Sequence, residues 1–379
     1  MIRFRHLAAT ALLVSTAGAQ GNVSTQGYGY PQGQLSSRAL SMGGAIGEID
    51  PGSALNPAAL GRLVNRTVLF QIEPEYRTIS SGSATDRTTT ARYPMVNIGV
   101  PFGQRWVFGV SASSLLDRTW QTTSTRTRDV GGDMIETTTD ESSNGAINDL
   151  RLAATWTNHD WLYVGAGLHA ITGRNVLTSI EQFDDSAFNS FASNRVLAYG
   201  GSALSAGVQL VSSGMSTVFG LSYRMGNSLK MKANDTTLAR GDVPSRFGAS
   251  LAFTGIEGTV LAARVSRDQW SSMTSMLANA ASGEKAHDSW EFGGGAEVSG
   301  PRLLGQTFLI RAGGRARTLP FEAAGKTVTE RTASLGSGAN FGGGRMSADL
   351  TVLRQWRNVD LPAVKERAWT LSLSLTARP

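Results

Sequence analysis

From Thr67 to the C-terminus, apolar and polar residues alternate with a period of two, the mark of strands that turn one face to an apolar surrounding. In "WLYVGAGLHAI", Leu162, Val164, Ala166, Leu168 and Ala170 share one side, while Trp161, Tyr163, Gly165, Gly167 and His169 share the other. The C-terminal "AWTLSLSLTARP" repeats the split, with Trp369, Leu371, Leu373 and Leu375 opposite Thr370, Ser372, Ser374 and Thr376. The pattern predicts fourteen strands, at 67–79, 91–102, 105–120, 147–158, 160–173, 195–212, 216–233, 244–254, 257–269, 288–298, 305–317, 328–341, 344–357 and 364–377.

The links between these strands alternate in length. "PFGQ", "TNHD", "SSGMS", "TGIEG", "SGPRLLG" and "GGG" are short, and those between them are mostly longer and rich in Thr, Ser, Asp and Asn. Short turns at one end and long loops at the other, with an even strand count, predict an all-β fold: an antiparallel transmembrane β-barrel of about 14 strands in a bacterial outer membrane. All eight tryptophans (106, 120, 156, 161, 270, 290, 356 and 369) fall at or near predicted strand ends, as interfacial girdles require.

Charge agrees with the alternation. Glu73, Glu75, Arg151, Arg224, Arg246, Arg264, Asp268, Glu291, Glu297, Arg311, Arg315 and Arg317 lie on the face opposite the apolar one. A basic residue facing lipid at the midplane would cost about 2–4 kcal/mol, so these groups are expected to point into the lumen, as a hydrogen-bonded filling or as an arginine-lined polar pore.

The first residues, "MIRFRHLAATALLVSTAGAQ", carry Arg3 and Arg5, then an apolar run, then Ala17-Gly18-Ala19, which reads as a cleaved export signal over 1–19. Without its two cations the chain keeps 33 Lys and Arg against 29 Asp and Glu. These cations are scattered, so no nucleic-acid partner is expected. Cysteine is absent and the four histidines are dispersed. No HExxH, GxSxG or phosphate-cradling loop occurs, so we expect no enzyme, catalytic group, metal site or cofactor.

Between signal and barrel, residues 20–66 include "RALSMGGAIGEIDPGSALNPAAL" from Arg38 to Leu60. Its glycines permit tight turns, while Pro51 and Pro57 remove donors that a wall strand would use. Its apolar residues exceed what a solvated linker carries, so packing inside the barrel is expected, with 67–379 as the wall. The run of Arg38, Gly43-Gly44-Ala45-Ile46, Asp50 and Asn56-Pro57-Ala58 resembles the N-terminal hatch of the long-chain fatty acid transporter (FadL) family, and Met42-Gly43-Gly44 also resembles the PorV-type barrels of secretion systems. The FadL resemblance implies a fourteen-stranded barrel with a hatch in its lumen, gating passive passage of hydrophobic compounds such as long-chain fatty acids. It also implies ligand capture by extracellular loops.

Two loops fit that role. Ile180, Phe183, Ala187, Phe188 and Phe191 follow helical spacing in "TSIEQFDDSAFNSFAS", and Met273, Met276, Leu277 and Ala280 do so in "SSMTSMLANAASGEK". Together they predict an apolar groove for hydrophobic small molecules, on a monomer surrounded by outer-membrane lipids and lipopolysaccharide. A PorV-type scaffold holding secreted proteins and a general porin are the competing functions.

Overall fold

The computed structural model describes residues 23–25, 28–81, 84–130, 133–158, 161–185, 187–212, 214, 216–277, 285–303, 305–323, 325–358 and 364–379. The expected signal over 1–19 lies outside the described residues. The wall consists of β1 (Thr67–Ser81), β2 (Ala84–Phe102), β3 (Trp106–Asp117, resumed at Trp120–Val130), β4 (Asp133–Thr157), β5 (Leu162–Phe183), β6 (Phe191–Val211), β7 (Thr217–Ala233), β8 (Thr236–Asp242, resumed at Arg246–Ile256), β9 (Thr259–Asp268), β10 (Ser289–Leu303), β11 (Gln306–Ala323), β12 (Lys326–Phe341), β13 (Met346–Asn358) and β14 (Val364–Ala377). Neighbours in this order pair antiparallel, and β14 pairs with β1 from Val364–Ser81 to Ala377–Val68, which closes the cylinder.

The alternation of the sequence becomes the two faces of the wall. Along β14, Arg367, Trp369, Leu371 and Leu375 are exposed outward, and Ala368, Thr370, Ser372 and Ser374 are buried inward. Closure pairs every strand with a neighbour on both sides over at least part of its length, which is what hydrocarbon demands of a spanning backbone.

Several strands are longer than their apolar runs. The Thr-rich link 121–146 is not a loop: it forms the far halves of β3 and β4, paired from Trp120–Ser143 to Val130–Asp133. Thr has high strand propensity and needs no lipid, so the ladder continues past the membrane as a polar hairpin. The β7–β8 hairpin closes on Asn234-Asp235, both at positive φ, as a tight primed turn requires. Two strands break: β8 at Val243-Pro244-Ser245, where proline cannot donate to the ladder, and β3 at Arg118-Thr119.

Trp106, Trp161, Trp290 and Trp369 lie on the outer surface as expected. Trp270 does not. It is 3% exposed and sits inside the barrel, because the chain leaves the wall after Asp268 and turns inward as a short 3₁₀ helix, Trp270–Met276.

Candidate functional site

The inward face of β4 reads the lumen from end to end. Ile147, Asp149, Arg151 and Ala153 all point in: Ile147 belongs to an apolar cluster, Asp149 and Arg151 to a charged layer, and Ala153 packs on the N-terminal segment beside Leu60 and Val107.

The N-terminal segment occupies the end with short turns. Helix α1 (Ser37–Ser41) is capped by Ser36, whose side chain accepts from the Ala39 N–H, and Asn56 caps the 3₁₀ helix Pro57–Arg62 by accepting from the Ala58 N–H at 2.9 Å. Asn56 also donates to the carbonyls of Glu48 at 2.7 Å and of Val208 in the wall at 3.3 Å. Ala45 and Ala58 are fully buried.

The wall receives this segment on glycines. A Cβ at Gly293 would lie 2.3 Å from the Gly43 carbonyl oxygen, at Gly295 2.4 Å from that of Met42, and at Gly313 2.2 Å from the Gly43 nitrogen. The hatch backbone therefore lies directly on the wall backbone there. Gly43 and Gly44 themselves have φ of 64° and 80°, a turn that glycine accepts without strain.

Charge locks the contact. Glu48, fully buried in the hatch, accepts from Ser222 Oγ at 2.6 Å, from Arg246 at 3.1 Å and from Arg264 at 3.4 Å. Arg38 meets Glu297 at 3.0 Å, and Arg311 joins Glu297 at 2.5 Å and Asp349 at 2.7 Å. A second network surrounds Tyr30: Arg357, Arg92 and Arg317 stand 4.6, 5.0 and 5.0 Å from its ring centre. Their carboxylates are Glu75, 2.6 Å from Arg92 and 3.1 Å from Arg357, and Glu330, 2.7 Å from Arg357 and 2.8 Å from Arg317. Arg315 lies 3.6 Å from both Glu291 and Glu330, and Arg264 also pairs with Glu291. Burial lifts the Tyr30 phenol above its usual value, against the pull of Arg317, so at neutral pH it remains a proton donor to Glu330.

The expected lumen charges are thus buried in the lumen, except Asp268, which is partly exposed beside Arg246, and the arginines named above are partnered by carboxylates rather than arrayed as an anion filter. Glu73 instead accepts from Gln71 at 2.7 Å and Ser372 at 3.0 Å. Arg224 donates to Gln34 of the N-terminal segment at 3.0 Å. Arg151 differs: it is 2% exposed, and its Nε and Nη1 have no hydrogen-bond partner.

Above this layer, toward the other end, the inward face turns apolar. Tyr28, Leu116, Ile147, Ile171, Leu197, Tyr199, Leu229, Val243 and Phe321 form one cluster, roofed by Trp270, Met273, Met276 and Leu277. The methionine face expected on that loop is real and points down into the barrel; Ala280 lies outside the described residues. The other expected face is corrected. Among the described residues of 180–191 no helix forms: Ile180 and Phe183 continue β5, Phe191 opens β6, and Phe188 lies in the turn. Phe183 and Phe188 touch, with ring centres 5.5 Å apart, but these residues stand on the β5–β6 hairpin and do not join the methionines in one groove. Pairing of β5 with β4 out to Thr137–Phe183 overrides the local helical spacing.

The wall itself is incomplete beside the cluster. Pairing of β2 with β3 runs from Phe102–Trp106 only to Met95–Ser113. Beyond it, Pro94 and a bulge interrupt β2, whose far half pairs with β1 alone, and the far half of β3 pairs with β4 alone. Tyr30-Pro31 bridges to Asp117 and Leu116 at this gap, and Arg92 reaches across it to Asp117 at 2.6 Å.

Sequence reasoning did not find Glu48, Tyr30 or the relay in which His169 Nδ1 meets Asp149 at 2.7 Å and Nε2 meets Ser205 Oγ at 2.8 Å. That relay crosses three strands, and Gln34 donates to the same Asp149 at 3.1 Å, so it ties the wall to the N-terminal segment. Cavities of about 110 Å³ beside Arg38 and Asp50, and about 30 Å³ beside Gln34 and Trp270, are pockets of water size.

A closed antiparallel barrel with an apolar outer belt, a lumen filled by its own N-terminal segment and an apolar side-chain cluster above it defines an outer-membrane-type barrel occluded from within. Solved structures share this fold. A FadL homologue of Pseudomonas aeruginosa matches with a TM-score of 0.63 at 15% identity, over 92% of this chain and 99% of its own. The Pseudomonas putida toluene transporter TodX matches at 0.57 and 13%, over 94% and 98%. The monoaromatic hydrocarbon channel CymD matches at 0.56 and 14%, over 91% and 97%. No protein-family model and no curated relative matches the sequence. The chain has the fold of these FadL-type channels.

Proposed function

We propose that this protein is a passive outer-membrane channel for hydrophobic compounds. The observation that carries the reading is the apolar cluster of Leu116, Ile147, Leu197, Leu229 and Phe321 under the Met273–Met276 roof, packed inside the barrel above the charged layer. A water-filled porin has no use for an apolar filling there, whereas an apolar solute that leaves water and parts these side chains gains about 25 cal/mol per Å² buried. The names of the neighbours, which include toluene and monoaromatic hydrocarbon channels, point to the same solute class.

Flexible methionines open the roof to solutes of varied shape. The solute then leaves either sideways, through the gap between β2 and β3, or downward past a displaced hatch around Asn56 and Pro57. The exposed Phe191 and Phe188 on the β5–β6 hairpin offer a first apolar contact outside the roof.

Long-chain fatty acids are the finer proposal, and Arg151 supports it. Its Nε and Nη1, both without a hydrogen-bond partner, lie two positions past Asp149 and four past Ile147 on the inward face of β4, where they can pair with a carboxylate whose chain enters the apolar cluster. In reconstituted vesicles, Met273→Asp with Met276→Asp should abolish accelerated uptake of both toluene and a fatty acid. Arg151→Met should slow the fatty acid alone. Equal slowing of both by Arg151→Met would remove the fatty-acid assignment and leave the channel, and normal uptake by the double aspartate variant would remove the apolar cluster from the route.

A further inference from the structure

Outside the lumen, β12, β13 and β14 carry three arginines on their lipid-facing side. Arg331 pairs across strands with Trp356, Trp356 with Arg367, and Arg354 with Trp369, so cations and indoles alternate like squares on a board. The Arg354 guanidinium stands 4.7 Å from the Trp369 ring centre and 5.9 Å from that of Trp356. Leu335, Val352 and Leu371 continue the same outward rows into the apolar belt. The patch therefore stands where the belt meets the headgroups, at the end opposite the short turns, which is the outer leaflet.

Arg331, Arg354 and Arg367 have no carboxylate partner among the described residues. The outward positions that border them, Thr329, Asn358 and Lys365, add donors and one more cation. Arg267, a fourth outward arginine stacked on Trp290, is different, because Asp288 neutralises it at 2.7 Å. Like charges on neighbouring strands at a lipid surface, with the Arg354 guanidinium set between two indole rings, await an anion, and arginine forks match phosphate oxygens in pairs.

We propose that Arg331, Arg354 and Arg367 bind the phosphate of a bisphosphorylated outer-leaflet glycolipid, lipid A, with Trp356 and Trp369 against its sugars and Leu335, Val352 and Leu371 along its acyl chains. The proposal rests on outer-membrane placement and not on which solute the lumen carries. Basic residues near a membrane surface each add to such binding, so three together should change affinity by at least about tenfold.

The test is native mass spectrometry of the detergent-solubilised protein with lipid A, with fully dephosphorylated lipid A and with inorganic phosphate as competitor. Wild type and R267Q should retain lipid A. The R331Q/R354Q/R367Q variant, verified as folded by its heat-modifiable mobility, should bind at least about tenfold more weakly, and dephosphorylated lipid A should bind wild type no better than it binds the variant. Lipid A binding within twofold of wild type by the variant would overturn the proposal. So would equal binding of the dephosphorylated lipid, an arm that needs wild type alone, or complete displacement by inorganic phosphate, which would leave a free-anion site only.

Discussion

Gly313→Val should unseat the hatch and turn a closed barrel into a leaky one. The added Cβ would lie 2.2 Å from Gly43 N and Met42 C, both backbone atoms of a segment pressed flat on the wall. Rotation of a side chain cannot relieve such a clash. The two surfaces must separate, at a cost above the roughly 1–3 kcal/mol usual for overpacking. Separation loosens Gly43 from Ser334 and draws Arg38 away from Glu297, so the lower lumen opens. Single-channel conductance and liposome swelling with sugars should rise several-fold while the barrel keeps its heat-modifiable mobility. The neighbouring Gly294→Ala is the control, since its Cβ points outward with nothing nearer than 3.9 Å.

Arg357→Met should produce the largest loss of stability. Arg357 is fully buried and joins three carboxylates: Glu366 at 2.5 Å, Glu330 at 2.7 Å and Glu75 at 3.1 Å. Methionine fills much of the volume but leaves a buried negative excess around Tyr30, and breaking one side of a buried pair costs about 3–5 kcal/mol. The urea midpoint for loss of the heat-modifiable form should fall accordingly. Adding Glu330→Gln should recover part of the loss, because the two changes act on one interaction and are not additive. Equal midpoints for Arg357→Met and wild type would mean that the network fills space without bearing charge.

The wall was legible because lipid enforces it. Outward positions within the belt must be apolar and the backbone there paired, so period two survives in strands such as β5 and β14, and a strand count follows. The hatch was legible from Gly43, Gly44, Pro51 and Pro57, residues that a wall strand cannot use. Its anchors were not. Glu48 reads as an ordinary loop acid until Arg246 and Arg264, some two hundred residues away, close around it. His169 has the same problem, since Asp149 and Ser205 reach it only through the pairing of three strands.

The misread segment over 180–191 shows the limit of local spacing. Phe183, Phe188 and Phe191 fit a helical face, yet Phe183 continues a ladder that β4 supplies and Phe191 opens β6 against β5, and a paired strand outweighs an isolated two-turn helix in water. Its place after a strand puts Trp270 in the girdle on sequence alone. Only the inward turn after Asp268 shows that it belongs with Met273 and Met276 over the apolar cluster.

Solute flux through the pure protein tests the central claim most directly. Proteoliposomes containing the wild-type chain should take up toluene faster than protein-free vesicles, with no added permeability to sugars of similar size. Toluene uptake equal to that of protein-free vesicles, or sugar permeation in step with it, would contradict a hatch-closed channel for hydrophobic compounds.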